Sequence, residues 1–277
     1  MHNVTTIDKV VTLVDGARFR VAVRGSGTQT VLFLDDHAPH RSAMERLPED
    51  EFPWHVETRI MQCDSRWAAT GWAGLIPFDH QVAAADRIAA LDACSFTAVA
   101  IVAIGQGVPQ ALALAALAPD RVHSMVLLDP LVIGSDRSWD DLAGEFDEAM
   151  RFVRAHGFDG LRRLLADDPL SSSAGPFGPQ LARDADLAEG LSKMGRERYI
   201  ARVVAFRDGL YPDRPLISVT ADEIASYPRA VLVVPHPERP ASASELAAAL
   251  PKATLSQPEV PAAAETWRTV SQFLHSV

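Results

Sequence analysis

The sequence has few cysteines and no excess of basic residues. Only two of its 277 residues are cysteine, Cys63 and Cys94. Two thiols cannot form a disulfide framework, and their positions in a predicted strand and at a helix end are typical of buried thiols in a reducing compartment. The formal net charge of −10 and the pI of about 5.3 disfavour binding to phosphate backbones and anionic lipid. We therefore expect a cytoplasmic protein that binds neither nucleic acid nor membranes.

The sequence also lacks a long uninterrupted apolar run. No basic start followed by an apolar stretch opens the chain, so no signal peptide is predicted. The most apolar window, residues 98–118, is interrupted by glycine, proline and glutamine, and it indicates a buried strand followed by a buried helix. There is no internal repeat. With 48% hydrophobic residues, the chain is long enough to bury one large core.

Strands alternate with helices over the first 130 residues. The two-residue period of "KVVTLVDG" and "RFRVAVRGSG" predicts a β-hairpin, and "TVLFLDD" is a continuous apolar run typical of a strand buried on both faces. Helical spacing predicts helices from His80 to Ala93 and from about Pro109 to Leu117. Further strands are predicted at "VETRIMQCD", "FTAVAIVAIG" and "HSMVLLD". This alternation predicts an α/β fold with a mainly parallel sheet and helices on both faces.

A helical block interrupts this alternation after Pro130. Its helices are predicted at "WDDLAGEFDEAMRFVRAHGF", "GLRRLLADD" and "MGRERYIARVVAFRDGL". Strands and helices then resume with "AVLVVP", "SASELAAAL", "ATLSQ" and "AAETWRTVSQFLHS". We therefore expect a core formed by residues 1–130 and 223–277, with a helical cap inserted at residues 131–222.

Three stretches resemble the α/β-hydrolase superfamily with a helical cap, and the resemblance covers nearly the whole chain. "GSGTQTVLFLDDHAPH" is similar to the family's glycine turn, third strand and oxyanion loop. "DRIAALDACSFTAVAIVAIGQG" is similar to the helix, fifth strand and nucleophile elbow, and "LAPDRVHSMVLLDP" to the following helix end and sixth strand. The resemblance implies the α/β-hydrolase fold: a mostly parallel central sheet flanked by helices, with an inserted helical cap.

The resemblance also implies that the catalytic triad is degenerate. The family's GxSxG elbow lifts a serine above the sheet, and spacings of about 13 residues from "LDA" and about 14 residues back from the proline of "APDRV" both reach Gly105. No aspartate occurs beyond Asp222, and no histidine follows "ATLSQ" until His275. Asp35 and Asp36 replace the usual His-Gly start of the oxyanion loop. We therefore do not expect a serine hydrolase.

Five polar residues remain as candidates for proton transfer. Three of them, Asp35, Asp36 and His37, follow the third strand, while Asp129 and His236 follow the sixth and seventh strands. Because those two strands are neighbours in the family, Asp129 and His236 are predicted to approach and form a histidine–carboxylate pair. Each residue also has a structural alternative, such as an aspartate that caps a turn.

Backbone amides at the elbow and apolar residues of the cap are candidates for substrate binding. The elbow candidates are Gly105, Gln106 and Gly107, and the cap candidates are Trp139, Phe146 and Met150. The glycines alternatively permit only the tight turn, and the cap residues alternatively form the core of the cap. In "CDSRW", Asp64 and Arg66 are interpreted as a buried ion pair. No metal or cofactor site is predicted.

Three functions are left open by the sequence. The first is a non-hydrolytic enzyme of the lyase, isomerase or cyclase type, which acts on a small hydrophobic or aromatic molecule by positioning and proton transfer, without a covalent intermediate. A biosynthetic role for such an enzyme is left open. The second is a catalytically dead protein that binds a ligand or acts as a scaffold. The third is a nucleotide-dependent oxidoreductase, because "GQGVPQ" partly matches GxGxxG and Asp129 ends the next strand. A small molecule is the expected partner in each case, and a homodimer is left open.

Overall fold

An eight-stranded sheet forms the centre of the protein. The computed structural model describes residues 6–25, 27–34, 58–66, 78–105, 107–130, 139–168, 171–175, 181–182, 185–210, 219–236, 240–256 and 263–277. The strands are β1 (Thr6–Thr12), β2 (Arg18–Arg24), β3 (Gln29–Leu34), β4 (Thr58–Cys63), β5 (Val99–Ile104), β6 (Val122–Leu128), β7 (Ala230–Val234) and β8 (Ala253–Leu255). Their spatial order is β1-β2-β4-β3-β5-β6-β7-β8. The pairs β1–β2 and β2–β4 are antiparallel, and all the others are parallel.

The central strands are continuous apolar runs because both faces of the sheet are covered. In β5, with sequence VAIVAI, the first five residues are buried and only Ile104 is partly exposed. Side chains on one face of the sheet pack in a cluster that includes Leu32, Ile101 and Leu127. Side chains on the other face, including Val102 and Val126, pack in a second cluster. The β-branched and aliphatic composition of β5 therefore follows from burial on both sides.

The strand order reverses between β3 and β5. After β3 the chain adds β4 on one side, and it then crosses back to add β5, β6, β7 and β8 on the other side. Leu34 of β3 pairs with Ala103 of β5 at the carboxyl ends of the two strands. In open α/β sheets the crevice outside the carboxyl ends at such a switch point is the usual place for a ligand. The strand order therefore predicts that a ligand site is formed by the residues that follow β3 and β5.

Helices cover the sheet, and four of the helices below lie between β6 and β7 along the chain. They are α1 (His80–Ala93), α2 (Gly107–Leu117), α3 (Trp139–Asp167), α4 (Ala185–Met194), α5 (Arg196–Leu210), α6 (Ala221–Ala225), α7 (Pro240–Ala249) and α8 (Ala263–Ser276). The side chain of Asp79 caps α1 by accepting hydrogen bonds from the backbone N–H groups of Gln81 and Val82. A non-helical residue, Gly157, interrupts α3 with φ 64°. The sequence pattern had placed a boundary between two helices at this point.

Helices α3 and α5 share an apolar cluster of their own, which we call the cap cluster. It contains buried side chains from these two helices, such as Met150 and Val203, and it extends to Phe78 and Ala83 at the start of α1. Val219 and Ile224, in contrast, pack in the cluster against the sheet. The cap cluster therefore contacts the core of the protein through the first turn of α1.

The predicted fold class is confirmed. The predicted strands and helices occur in the predicted order, and α1 has the predicted bounds. Within the described ranges no helix has the length and apolar character needed to cross a membrane. The division of the chain into residues 1–130 with 223–277 and residues 131–222 remains a prediction.

Candidate active site

The turn between β5 and α2 is formed by a glycine at the point where the chain reverses direction. Gly105 has φ 50° and is buried. Its N–H donates to the carbonyl oxygen of Leu128 at 3.0 Å, and its own carbonyl accepts the N–H of Val108 at 3.1 Å. Positive φ is unfavourable for most residues and unrestricted for glycine. Gly105, the first residue after β5, therefore brings no side chain to this turn; that it occupies the nucleophile position of a GxSxG elbow remains a prediction.

Of the two segments that follow β3 and β5 at the point where the strand order reverses, the structure describes the one after β5. Gly105 and Gly107 lie directly after β5, which is paired with β3. The candidate proton-transfer residues Asp35, Asp36 and His37 follow β3 in the sequence, and they lie outside the described residues, as does Gln106. Their contribution to the site remains a prediction.

Asp129 and His236 leave the sheet on two neighbouring strands. Leu128 of β6 is paired with Val234 of β7, and the N–H of Asp129 donates to the carbonyl oxygen of Val234 at 2.9 Å. Asp129 has φ 45°, a left-handed conformation that aspartate tolerates better than most residues. Both side chains are half-buried. The structure therefore places the backbone of Asp129 beside the end of β7, two residues before His236, while the histidine–carboxylate contact remains a prediction.

The described aromatic and apolar candidates of the cap lie in a packed interior. Phe146 and Met150 are 2% and 3% exposed and belong to the cap cluster. The ring of Phe146 is 6.2 Å from that of Phe206, which is in turn 6.0 Å from the ring of Phe78. Trp139 is the first residue of α3, and its side chain lies outside the described part. The alternative that Phe146 and Met150 form the core of the cap therefore fits their packing.

Two features near the carboxyl edge were not predicted. Arg66, just after β4, donates to Asp86 of α1 through Nε at 2.7 Å and Nη2 at 2.5 Å, and to Asp15 of the β1–β2 turn at 2.6 Å. The hydrogen bond to Asp86 is the main cause of the raised pKa of Arg66. The sequence analysis instead interprets Asp64 as the partner of Arg66, because "CDSRW" resembles the family's loop after the fourth strand. The second feature is Gln110, a polar residue that is 7% exposed within the buried helix α2.

The partial GxGxxG motif occupies a different place from the dinucleotide fingerprint. The fingerprint occurs in the first strand–helix turn of a doubly wound sheet, and its third glycine allows close packing of helix on strand. Here the motif follows β5, the third parallel strand in the chain, and the third glycine is replaced by Gln110. No group of three or more histidine, cysteine, aspartate or glutamate side chains suited to a metal occurs within the described ranges.

Comparison with solved structures identifies the fold. An enol-lactonase from Burkholderia xenovorans LB400 is 17% identical with a TM-score of 0.62, over 97% of this chain and 100% of its own. A 2-hydroxy-6-oxo-6-phenylhexa-2,4-dienoate hydrolase from Rhodococcus sp. strain RHA1 is 16% identical with a TM-score of 0.60, over 99% of both chains. An α/β hydrolase from Sphaerobacter thermophilus DSM 20745 is 16% identical with a TM-score of 0.59, over 96% of this chain and 100% of its own. No protein-family model and no curated protein matches the sequence.

The protein therefore has the α/β-hydrolase fold over essentially its whole length. The similar structures are named mostly as hydrolytic enzymes. At these identities the likeness extends to the fold and not to the chemistry, because function depends on the residues at the site.

Proposed function

We propose that the protein is a non-hydrolytic enzyme with the α/β-hydrolase fold that acts on a small hydrophobic or aromatic molecule. The observation that supports this proposal is Gly105, which stands at the left-handed turn between β5 and α2. An acyl-enzyme mechanism needs a nucleophilic side chain and a base within hydrogen-bond reach. A glycine at the elbow supplies no nucleophile.

The usual base is also missing after β8. No histidine occurs between Leu255, where β8 ends, and His275. His275 lies in the last turn of α8, with its Nδ1 2.6 Å from the carbonyl oxygen of Ser271. Even a serine at position 105 would therefore lack the histidine that removes its proton in the triad mechanism.

The proposed reaction relies on positioning and proton transfer. Asp129 and His236 leave adjacent strands at the carboxyl edge, and Asp35, Asp36 and His37 follow β3, the neighbour of β5, in the sequence. A side chain that moves a proton in the transition state typically contributes about 10²- to 10⁴-fold to a rate. The amides at the start of α2 would bind a carbonyl or enolate oxygen through the positive end of the helix dipole. Lyase, isomerase and cyclase reactions that proceed by proton transfer next to a carbonyl group use catalytic groups of these kinds.

A cytoplasmic location is part of the proposal. Cys63 and Cys94 are both free thiols, which is the usual state of cysteine in a reducing compartment. The acidic net charge of −10 favours a neutral or weakly polar small molecule over an anionic polymer as the partner.

The experiment has a hydrolytic and a non-hydrolytic arm. In the hydrolytic arm, purified protein is incubated with nitrophenyl esters and with a fluorophosphonate probe. We expect no appreciable turnover and no labelling in the wild type, and the Gly105→Ser variant should remain inactive because no triad histidine is present. Stoichiometric labelling of a serine near the elbow would refute the proposal.

In the non-hydrolytic arm, small aromatic carbonyl compounds are screened for exchange of the α-proton with deuterated water. For a compound that exchanges, Asp36→Asn, Asp129→Asn and His236→Ala are compared in both rate and affinity. We expect at least one variant to lose about 10²- to 10⁴-fold in rate with its affinity largely retained. Binding without turnover of any compound would instead support the second candidate, a ligand-binding protein, which is compatible with the same glycine at the elbow.

A further inference from the structure

We draw no further inference here: the strongest candidate, the side-chain cluster at the end of β4 in which the buried guanidinium of Arg87 donates to the carbonyl oxygen of Asp64 at 2.7 Å while its Nε has no hydrogen-bond partner among the described residues, carries nothing because nothing in the described part of the structure shows what lies against that nitrogen.

Discussion

Gly209 lies directly against the backbone of Phe78. A Cβ built on Gly209 would be 2.0 Å from the carbonyl oxygen of Phe78 and 2.9 Å from its carbonyl carbon. Gly209 is near the end of α5, and Phe78 stands just before α1. The absence of a side chain at this position therefore allows α5 to contact the segment that leads into α1.

We predict that Gly209→Ala destabilises the protein by about 1–3 kcal/mol, because the atoms in the way belong to the backbone and cannot rotate aside. Chemical denaturation measures the loss, and hydrogen exchange should become faster in α5 and at the start of α1. Gly144→Ala in α3 is the matched control, since no atom of the described residues lies within 4 Å of a Cβ built there. That change should be neutral or stabilising by up to about 1 kcal/mol. Equal effects of the two substitutions would contradict the close contact.

Local sequence patterns were sufficient to predict the elements that form the site. The bounds of α1 were predicted from helical spacing, and β5 was predicted from a short buried apolar run. Gly105 could be located because two fixed spacings along the chain end at the same residue. These features depend on neighbours in the sequence, which is why the sequence alone predicts them.

The contacts that the sequence did not predict join residues that are distant along the chain. Arg66 pairs with Asp86 because α1 packs beside the end of β4, and no local pattern indicates which helical carboxylate faces it. Gly209 and Phe78 are joined only by the docking of α5. For Phe146 and Met150 the residue type alone left two alternatives, a substrate wall and the core of the cap, because their orientation depends on how α3 packs against α5.

The two cysteines should differ in reactivity. Burial raises the pKa of Cys63 to about 12, so at about pH 8 almost none of it is the reactive thiolate. Burial also raises the pKa of Cys94, which is only partly buried. We expect native protein to react slowly with one equivalent of a thiol reagent, at Cys94, and denatured protein to react with two. Cys94→Ser should abolish native labelling, and labelling of Cys63 in the folded state would contradict its burial.

The imidazole of His123 should titrate below its ordinary range. Burial, with a contribution from the nearby charge of Arg229, lowers the pKa of His123. The unfolded chain therefore takes up a proton near the ordinary pKa of about 6.5 before the folded protein does. Stability should fall as the pH falls below that value, and His123→Gln should reduce this dependence. An NMR titration measures the titration midpoint of His123. Arg229→Gln should raise this midpoint only part of the way to the ordinary value, because burial is the larger cause of the shift. A wild-type midpoint at or above 6.5 would refute the prediction.

Removal of the Arg66 guanidinium should be among the most damaging single changes near the carboxyl edge. Its partner Asp86 is 2% exposed, and Arg66→Met would leave that carboxylate buried without its cation, at a loss of about 3–5 kcal/mol in the free energy of unfolding. Asp15→Asn removes the other partner, which is 53% exposed, and should have only a small effect. Arg66→Lys should lose nearly as much stability as Arg66→Met, since a lysine ammonium cannot donate to both carboxylate oxygens of Asp86 as the guanidinium does. The double variant Arg66→Met with Asp86→Leu should regain much of the loss, because both buried charges are then absent. Denaturation of the four variants measures this, and a single-variant loss no larger than that of Asp15→Asn would show that Asp86 does not depend on Arg66.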